Sequence, residues 1–307
     1  MNSRTSTLTV IALALSTSAC GGGGGGDDIS AEIPVVSAPL ATPAPTATPT
    51  PTPTPASRAT PSASAAIWQP KVSDTWQWQL RGTLNTGYPV KVYDIDLVNT
   101  PQATIDAFRS RGIRVVCYFS AGSSEDFRSD YGRFTDADKG KILKGFDGER
   151  WLDIRTANVK AIMRDRIALA ATKRCDAVEP DNVDGYANDT GFDLTSSDQL
   201  AFNRFLAAEA HSHGLAVALK NDLDQIPELV GSFEFAVNEQ CHEFAECDKV
   251  RPFIAAGKPV FNAEYQDKYV KNAGGARDAL CAAARSENIR TLILPLELED
   301  SFRYSCN

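Results

Sequence analysis

The sequence predicts a single (β/α)8 barrel of the α/β class, preceded by a disordered tether rich in glycine, proline and threonine. Two observations carry this prediction. First, all four tryptophans and nearly all charged residues lie within residues 67–307, a length typical of one barrel domain. Second, short apolar runs alternate with amphipathic stretches along that part of the chain, and such alternation indicates parallel strands joined by helices.

Eight apolar runs are predicted to be the strands of the barrel: residues 76–80, 90–97, 115–120, 177–181, 215–220, 235–239, 259–264 and 291–296. Four amphipathic stretches are predicted to be helices: residues 104–111, 159–172, 198–213 and 276–286. Gly112 and Gly214 follow two of these stretches, where a glycine commonly ends a helix. An open doubly wound sheet is disfavoured, because no glycine-rich phosphate loop follows the first strand.

The N-terminus, residues 1–19, resembles a lipoprotein-type signal peptide. Arg4 precedes a short apolar run at residues 8–15, and two small residues directly precede Cys20. Because the run is too short to span a bilayer, we predict an exported bacterial lipoprotein, held at the outer membrane or cell surface only by a lipid on Cys20. Ordinary signal cleavage, which leaves a secreted protein with a free thiol, stays open because Thr17 stands where an aliphatic residue is usual.

Residues 20–66 are predicted to be a disordered linker. Six consecutive glycines occupy residues 21–26, and Thr-Pro and Ala-Pro repeats fill residues 41–55. Such a composition forms a flexible hinge and an extended spacer rather than a core. The formal net charge of −8 argues against a nucleic-acid partner, which requires a basic surface. We predict that the protein is a monomer.

Six cysteines lie in the predicted barrel, and an even number in an exported chain predicts three disulfides. Six cysteines allow fifteen pairings, as a matter of counting. The pairs that we predict close a short loop, fix the C-terminus and tie neighbouring strands: Cys241–Cys247, Cys281–Cys306 and Cys117–Cys175. No C-x-x-C spacing is present and the chain has only three histidines, so we predict no metal site and no cofactor.

The predicted strands begin apolar and end in polar or charged residues. Candidate site residues at these ends are Asp94, Tyr118, Glu179, Asp181, Asp184, Lys220, Asn221, Glu239, Glu264 and Tyr265. The carboxyl ends of barrel strands meet at one mouth, and so many charges are costly there unless they bind a ligand. A mouth rich in carboxylates suits the cleavage of a glycosidic bond, which uses one acid and one ionised carboxylate. Trp76 is a further candidate, as a ring that stacks on a sugar.

Seven segments of the chain carry a resemblance to a known family: WQWQL (76–80), YDID (93–96), CYFSAG (117–122), EPDNVD (179–184), LKND (219–222), NEQC (238–241) and NAEY (262–265). In this order they resemble glycoside hydrolase family 114 over nearly all of residues 68–305. The resemblance implies a barrel with endo-α-1,4-polygalactosaminidase activity on a galactosamine-rich, cationic polysaccharide. It also implies that Asp181 is the nucleophilic carboxylate and Glu239 the general acid.

Several alternatives stay open at this point. Glu179 rivals both catalytic residues, since strand alternation places it on the same face as Asp181. The sequence does not give the carboxyl separation, so retention and inversion are both possible. The barrel is also compatible with another amino-sugar glycan of the cell wall or capsule, with a non-catalytic surface lectin, and with a scaffolding role. The lectin is disfavoured, because pure binding does not require Asp181 together with Glu239.

Overall fold

The computed structural model of the protein describes residues 66–307. The predicted signal peptide, Cys20 and all but the last residue of the predicted linker lie outside the described residues. Within the described part, the chain forms twelve strands and seven α-helices. No helix between residues 66 and 307 is long and apolar enough to cross a membrane.

The barrel wall consists of parallel strands that neighbour each other in chain order. In residues 66–307 they are β1 (Trp76–Gln79), β2 (Val92–Asp96), β3 (Arg114–Ser120), β7 (Ala177–Asp181), β8 (Ala216–Lys220), β9 (Phe235–Glu239), β10 (Val260–Glu264) and β11 (Arg290–Ile293). All eight predicted strands are present, and the prediction of a barrel is confirmed. A short strand, β12 (Tyr304–Ser305), adds antiparallel to β11.

The seam between β11 and β1 is joined by side chains. The indole Nε1 of Trp76 donates to the Arg290 carbonyl oxygen across the seam, at 2.9 Å. The Arg303 guanidinium, which precedes β12, donates to the Trp76 carbonyl oxygen, also at 2.9 Å. Trp76 also stacks on Phe261 of β10, with 5.0 Å between ring centroids. Large aromatic rings therefore fill the barrel where the first and last strands meet.

The residues of each strand alternate between the barrel interior and the outer, helix-covered layer, as the pleat requires. One apolar cluster fills the interior and draws members from all eight strands of the described barrel: Trp76, Trp78, Val92, Val116, Ala177, Ala216, Ala218, Phe235, Val237, Phe261, Ala263, Leu292 and Leu294. A second, larger cluster lies between the strands and the helices, and includes Ile95, Cys117 and Leu219.

The helices cover the outside of the barrel. Those of the described region are α1 (Gln102–Ser110), α2 (Ala157–Thr172), α3 (Ser196–Ser212), α4 (Ile226–Leu229), α5 (Arg251–Ala255), α6 (Asp267–Val270) and α7 (Ala276–Ser286). Thr195 caps α3, because its hydroxyl accepts from the Asp198 N–H while the Asp198 carboxylate accepts from the Thr195 N–H. Gly112 and Gly214 adopt the left-handed conformation after α1 and α3, as expected of helix-ending glycines. Among residues 66–307, no helix follows β1 or β11, so two of the predicted β/α units are incomplete.

A small antiparallel sheet, which the sequence did not predict, is inserted between β3 and α2. We call it the insertion sheet: β4 (Ser123–Glu125), β5 (Lys139–Leu143) and β6 (Phe146–Leu152), in the order β4-β6-β5. The turn between β5 and β6 is tight, and Gly145 occupies it with a positive φ of 91°. Because β4 starts just after β3 ends, the insertion sheet begins at the barrel mouth.

The six cysteines of the described region form three disulfides, in the predicted combinations. Cys117 and Cys175 join β3 to the segment before β7, whereas Cys281 and Cys306 join α7 to the C-terminus. Cys241 and Cys247 close a loop directly after β9. The Cys241–Cys247 disulfide restrains the chain next to the carboxyl end of β9, which reaches the mouth.

Candidate active site

A buried lysine occupies the centre of the barrel mouth. The Lys220 Nζ lies 2.9 Å from Asp181 Oδ1, 3.2 Å from Glu239 Oε2 and 3.7 Å from Glu179 Oε1. Lys220 and Glu179 are buried, whereas the side chains of Asp181 and Glu239 are 17% and 27% exposed. We call Lys220, Asp94, Glu179, Asp181 and Glu239 the lysine cluster. Its two solvent-reaching members are the two carboxylates predicted to be catalytic.

The charge of Lys220 is fixed by its surroundings. Burial alone would lower the pKa of the Lys220 ammonium, but the attraction of three carboxylates outweighs burial and raises this pKa well above its usual range. The Nζ also lies 5.0 Å from the ring centroid of Trp78, whose ring forms the floor beneath it. The surroundings of Lys220 therefore favour its cationic form.

Hydroxyl and amide donors orient the two exposed carboxylates. Asp181 accepts from the Tyr118 hydroxyl at 3.0 Å, and Glu239 accepts from the Tyr265 hydroxyl at 2.6 Å. The Asn221 amide donates to Glu239 at 3.2 Å. Burial, and then the neighbouring carboxylate, raises the pKa of both tyrosines well above the usual range, so both phenols remain donors. Every side chain in this arrangement was predicted from the sequence.

A second pair of carboxyl groups lies deeper in the mouth. Asp94 and Glu179 receive no hydrogen bond from any other described residue, although both are buried. Burial raises the pKa of Asp94 to about 7, and burial together with the negative charge of Asp94 raises the pKa of Glu179 well above its usual range. Both shifts favour the protonated, neutral form of these carboxyl groups.

A further acidic pair lies beside the lysine cluster. Burial, followed by repulsion from Asp181, raises the pKa of Asp184 to about 6. Burial, followed by repulsion from Asp184, raises the pKa of Asp222 to about 8. The Asn203 amide holds Asp222 from α3, at 2.8 Å. These two carboxyl groups therefore extend the mouth to one side of the lysine cluster as an acidic surface. Asp222 was not among the candidate site residues predicted from the sequence.

The chain turns sharply after each of three adjacent strands of the mouth. Asn182, Asn221 and Gln240 have positive φ angles of 58°, 48° and 60°, and they directly follow Asp181, Lys220 and Glu239. Such a conformation is strained for a residue with a side chain, although asparagine tolerates it comparatively well. The turns let the last side chain of each strand point into the mouth.

Two predicted substrate contacts are not supported. Trp76 is the first residue of β1 and packs in the barrel interior, so it lies at the opposite end from the mouth. Glu264 is fully buried and accepts from the His242 N–H at 2.9 Å and from Asn262 at 3.1 Å. Since Phe261 and Ala263 face the interior, alternation directs Glu264 outward and brings the next residue into the mouth.

Two groups at the rim of the mouth were missed from the sequence. The Arg128 guanidinium, behind β4, makes four hydrogen bonds of 2.6–3.0 Å to the carboxylates of Asp96 and Glu125. We call these three residues the arginine cluster. Ser123 donates to Glu149 of β6 at 2.7 Å, and both side chains are buried near Asp181. Both groups lie in short segments in which polar residues alternate with other residues and no apolar run occurs. This pattern was the sequence feature that marked them.

One group in the described region could resemble a metal site. Cys241, His242 and Cys247 place one possible ligand atom each within 4.8 Å of one another. Both sulfur atoms belong to the same disulfide and are therefore not thiolate ligands. The three residues serve to close the loop after β9.

Two solvent-reaching carboxylates at the mouth of a barrel form the kind of pair that hydrolysis of a glycosidic bond requires. The model of Glycoside-hydrolase family GH114 matches residues 57–307. The chain belongs to this family, and it is a hydrolase of glycosidic bonds. A comparison with curated protein sequences finds no match.

Solved structures of two carbohydrate-active proteins are similar to this chain. Ega3 of Aspergillus fumigatus, in complex with galactosamine, is 42% identical, with a TM-score of 0.75 over 79% of this chain and 98% of that chain. The glycoside hydrolase domain of PelA from Pseudomonas aeruginosa is 14% identical, with a TM-score of 0.60 over 75% of this chain and 98% of that domain. The second likeness concerns the fold alone.

Proposed function

We propose that the protein is an endo-acting hydrolase of α-1,4-linked, galactosamine-containing polysaccharides, with Asp181 as nucleophile and Glu239 as general acid and base. The observation that carries the proposal is the bridge that Lys220 forms between these two carboxylates. The substrate class is supported by the 42% identity to Ega3, whose solved structure contains galactosamine.

The separation of the two carboxylates favours a double displacement with retention. Asp181 Oδ1 and Glu239 Oε2 lie 2.9 and 3.2 Å from the same nitrogen, so they cannot be further apart than the sum of these distances, about 6.1 Å. Retaining enzymes place their carboxyl groups roughly 5–5.5 Å apart, whereas inverting enzymes need roughly 6.5–9.5 Å to admit a water molecule. The bound lies below the inverting range, and direct attack by Asp181 is the step that fits it.

The single cation explains how charge moves during the reaction. In the first step Glu239 gives its proton to the glycosidic oxygen, the bond from that oxygen to the anomeric carbon breaks, and Asp181 bonds to the carbon. The negative charge thereby passes from Asp181 to Glu239, and Lys220 contacts both. In the second step Glu239 takes a proton from water, which attacks the anomeric carbon and releases Asp181. Lys220 stabilises whichever carboxylate is ionised, without having to move.

The acidic surface of the mouth fits a substrate that carries ammonium groups. Asp94 and Glu179 belong to the lysine cluster, Asp184 and Asp222 lie beside it, and one lysine does not neutralise all four. An ammonium on a sugar supplies the missing positive charge and can donate to these oxygens. This surface therefore favours galactosamine over its N-acetylated form at some positions of the polymer.

We also propose that the protein acts outside the cytoplasm as a monomer, held at the membrane by a lipid on Cys20. The three disulfides of the described region support export, because such bonds persist in oxidising compartments. Metabolic labelling with a radioactive fatty acid, compared between wild type and Cys20→Ser, would test the anchor. Label on both proteins would contradict it.

The proposed activity can be tested directly. Purified wild-type protein and Glu239→Gln would be incubated with partly deacetylated galactosaminogalactan, and released oligosaccharides followed by mass spectrometry. A ladder of hexosamine oligomers from wild type only would support an endo-acting hydrolase with this acid. Monosaccharide alone would contradict internal cleavage, and no product from folded wild-type protein would contradict the substrate.

A further inference from the structure

The insertion sheet brings a buried carboxyl group close to the proposed nucleophile. Glu149 lies on β6, directly opposite Glu125 of β4, and its side chain is buried. Its Oε2 accepts from the Ser123 hydroxyl at 2.7 Å. No residue of the lysine cluster forms a hydrogen bond with Glu149. The insertion sheet nevertheless positions Glu149 close to the cluster.

A line of hydrogen bonds leads from Glu149 to the turn after β7. The Ser123 and Ser120 hydroxyl oxygens lie 2.6 Å apart. The Asn182 side-chain amide donates to both of them, at 2.9 Å to Ser120 and 3.2 Å to Ser123. The Asn182 backbone N–H in turn donates to Asp181 Oδ1 at 2.7 Å. The Asn182 N–H is therefore one of two donors that hold Asp181 Oδ1, the other being the Lys220 Nζ at 2.9 Å.

The turn at Asn182 has little freedom to shift. Its backbone is left-handed, and Gly122 packs so closely that a Cβ on Gly122 would lie 1.7 Å from the Asn182 carbonyl oxygen. The N–H groups of Ala121 and Gly122 both donate to the Asp181 carbonyl oxygen, at 2.8 and 3.0 Å. The remaining freedom at this turn lies in the Asn182 side chain, which the two serines hold.

The direction of the hydroxyl hydrogens depends on Glu149. An amide NH₂ only donates, so both serine oxygens accept from Asn182, and their hydrogens must point elsewhere. The Ser120 hydroxyl then donates to Ser123, and the Ser123 hydroxyl donates to Glu149. An ionised Glu149 accepts at the end of this line. A protonated Glu149 offers its own hydrogen to Ser123 and competes with the Asn182 amide.

We propose that Glu149 is a positioning residue of the hydrolase, which acts through Ser123 and Asn182 to hold the Asp181 carboxylate in its attacking orientation. The proposal rests on the proposed function of Asp181. Because Glu149 acts at a distance from the substrate, its loss should lower kcat and leave KM nearly unchanged.

The line should respond to pH in the neutral range. Burial raises the pKa of Glu149 to about 7, with repulsion from Glu125 and Asp181 in the same direction and the Ser123 hydrogen bond and Arg128 in the opposite direction. These are the charged groups that face Glu149 from β4, from the loop after it and from β7. As pH falls through about 7, Glu149 takes up a proton and the line loses its acceptor. Wild-type kcat should therefore decrease on the acidic side of this value.

Four variants separate the parts of the proposal. Glu149→Leu and Ser123→Ala should each lower kcat about tenfold, the size of one hydrogen bond to a charged group, with KM within about twofold. The double variant should be no worse than the poorer single variant, because both changes break one line. Glu149→Gln keeps an acceptor but cannot titrate, so its kcat should lose the acidic limb near pH 7.

Asp147→Asn is the matched control, since Asp147 is exposed two residues away on the same strand. It should keep both the wild-type kcat and the wild-type pH profile. Normal kcat in Glu149→Leu and Ser123→Ala would overturn the proposal. A rise in KM without a change in kcat would also overturn it, by placing Glu149 against the substrate.

A measurement without substrate separates this inference from the proposed function. The side-chain amide resonances of Asn182 in ¹⁵N-labelled wild-type protein should shift with pH, with a midpoint of about 7. The same resonances should not shift in this range in Glu149→Gln. A shift that persists in Glu149→Gln, or no shift in wild type, would overturn the inference even if the protein hydrolyses galactosamine polymers.

Discussion

The mouth of the barrel contains two buried ionic clusters that differ in how well their charges are matched. In the arginine cluster one guanidinium makes four hydrogen bonds to two carboxylates, and the side chains of all three residues are at most 6% exposed. In the lysine cluster one ammonium contacts three carboxylates, and a fourth carboxyl group lies without a donor among the described residues.

The difference teaches what each cluster is for. A buried ion pair contributes to a stable structure only when its partners satisfy one another, as those of Arg128 do. The lysine cluster leaves the buried carboxyl groups of Asp94 and Glu179 without a hydrogen-bond donor among the described residues, and burial raises the pKa of both. Such an imbalance destabilises the folded protein unless a ligand or a reaction uses it. The arginine cluster therefore holds the rim of the mouth, and in the proposed function the lysine cluster carries the chemistry.

The sharpest separation of the two clusters is expected in turnover. Glu239→Gln should lower kcat by about 10²- to 10⁴-fold, since a general acid contributes that much to the rate. Its melting temperature should stay close to that of wild type, because glutamine keeps the shape of the side chain and, through its one acceptor oxygen, the hydrogen bond from the Tyr265 hydroxyl. Reducing-end assays and calorimetry on the same preparations measure both quantities. A loss of turnover matched by a loss of folding would remove the distinction.

The next largest effect concerns stability. Arg128→Met leaves two buried carboxylates unpaired, which should cost about 3–5 kcal/mol and lower the melting temperature by about 10 °C. Lys220→Met should lower kcat more than Arg128→Met does, and lower the melting temperature less, because the deep carboxyl groups can bind further protons. A lower melting temperature for Lys220→Met than for Arg128→Met at about pH 6, where the deep carboxyl groups bind protons more easily than at neutral pH, would contradict this comparison.

A smaller effect is expected in the pH dependence of stability. Carboxyl groups with raised pKa bind protons in the folded protein that the unfolded chain has already lost, so the free energy of unfolding decreases as pH rises from about 4 to about 7. The groups that contribute with this sign are Asp94, Glu179, Glu149, Glu264 and Asp222.

Asp94→Asn removes the member of this set whose pKa is raised to about 7 within the lysine cluster. Relative to wild type, its melting temperature at about pH 8 should rise by about 5 °C, since one pKa unit corresponds to about 1.4 kcal/mol. Below about pH 4 the two proteins should differ little, because Asp94 is then largely protonated in both the folded and the unfolded wild type. A larger gain at the lower pH would show that the sign is wrong.

The smallest effect is expected at Glu264, on the outer face of the barrel. Burial raises the pKa of Glu264 to about 7, so Glu264→Gln resembles the form that is already well populated. Both kcat and KM should stay within about twofold of wild type, because the side chain does not reach the mouth. A large rise in KM would restore Glu264 as a substrate contact and contradict the strand orientation seen here.

The sequence was sufficient to predict the eight strands and the polar residues at their ends. Alternation alone could not show which side of β10 faces inward, since one set holds Phe261, Ala263 and Tyr265 and the other holds Val260, Asn262 and Glu264. Both sets mix apolar and polar residues, so only packing against Trp76 decides between them. Trp76 was predicted to stack on a sugar because of its residue type. It is the first residue of β1 and therefore lies at the end of the barrel opposite the mouth.

The insertion sheet shows why the rest of the site escaped prediction. Its strand β5 is largely exposed and contains no run of apolar residues, so its fold depends on pairing with β6 rather than on a hydrophobic pattern. Ser123, Glu149 and Arg128 are ordinary polar residues in such a stretch. Arg128 is important through its contacts with Asp96, and Ser123 and Glu149 through the hydrogen bonds that lead to Asn182. Asp96 and Asn182 are distant from them in sequence.

The central claim, that Asp181 forms a bond to the sugar while Glu239 moves protons, can be tested by trapping the intermediate. An α-galactosaminyl fluoride needs no acid to leave, and Glu239→Gln lacks the base that activates water, so the glycosyl-enzyme should accumulate. Intact-protein mass spectrometry should show the addition of one hexosaminyl group, and peptide mapping should locate it on Asp181. A group attached to Glu179, or release of product with inverted configuration and no attached sugar, would contradict the account.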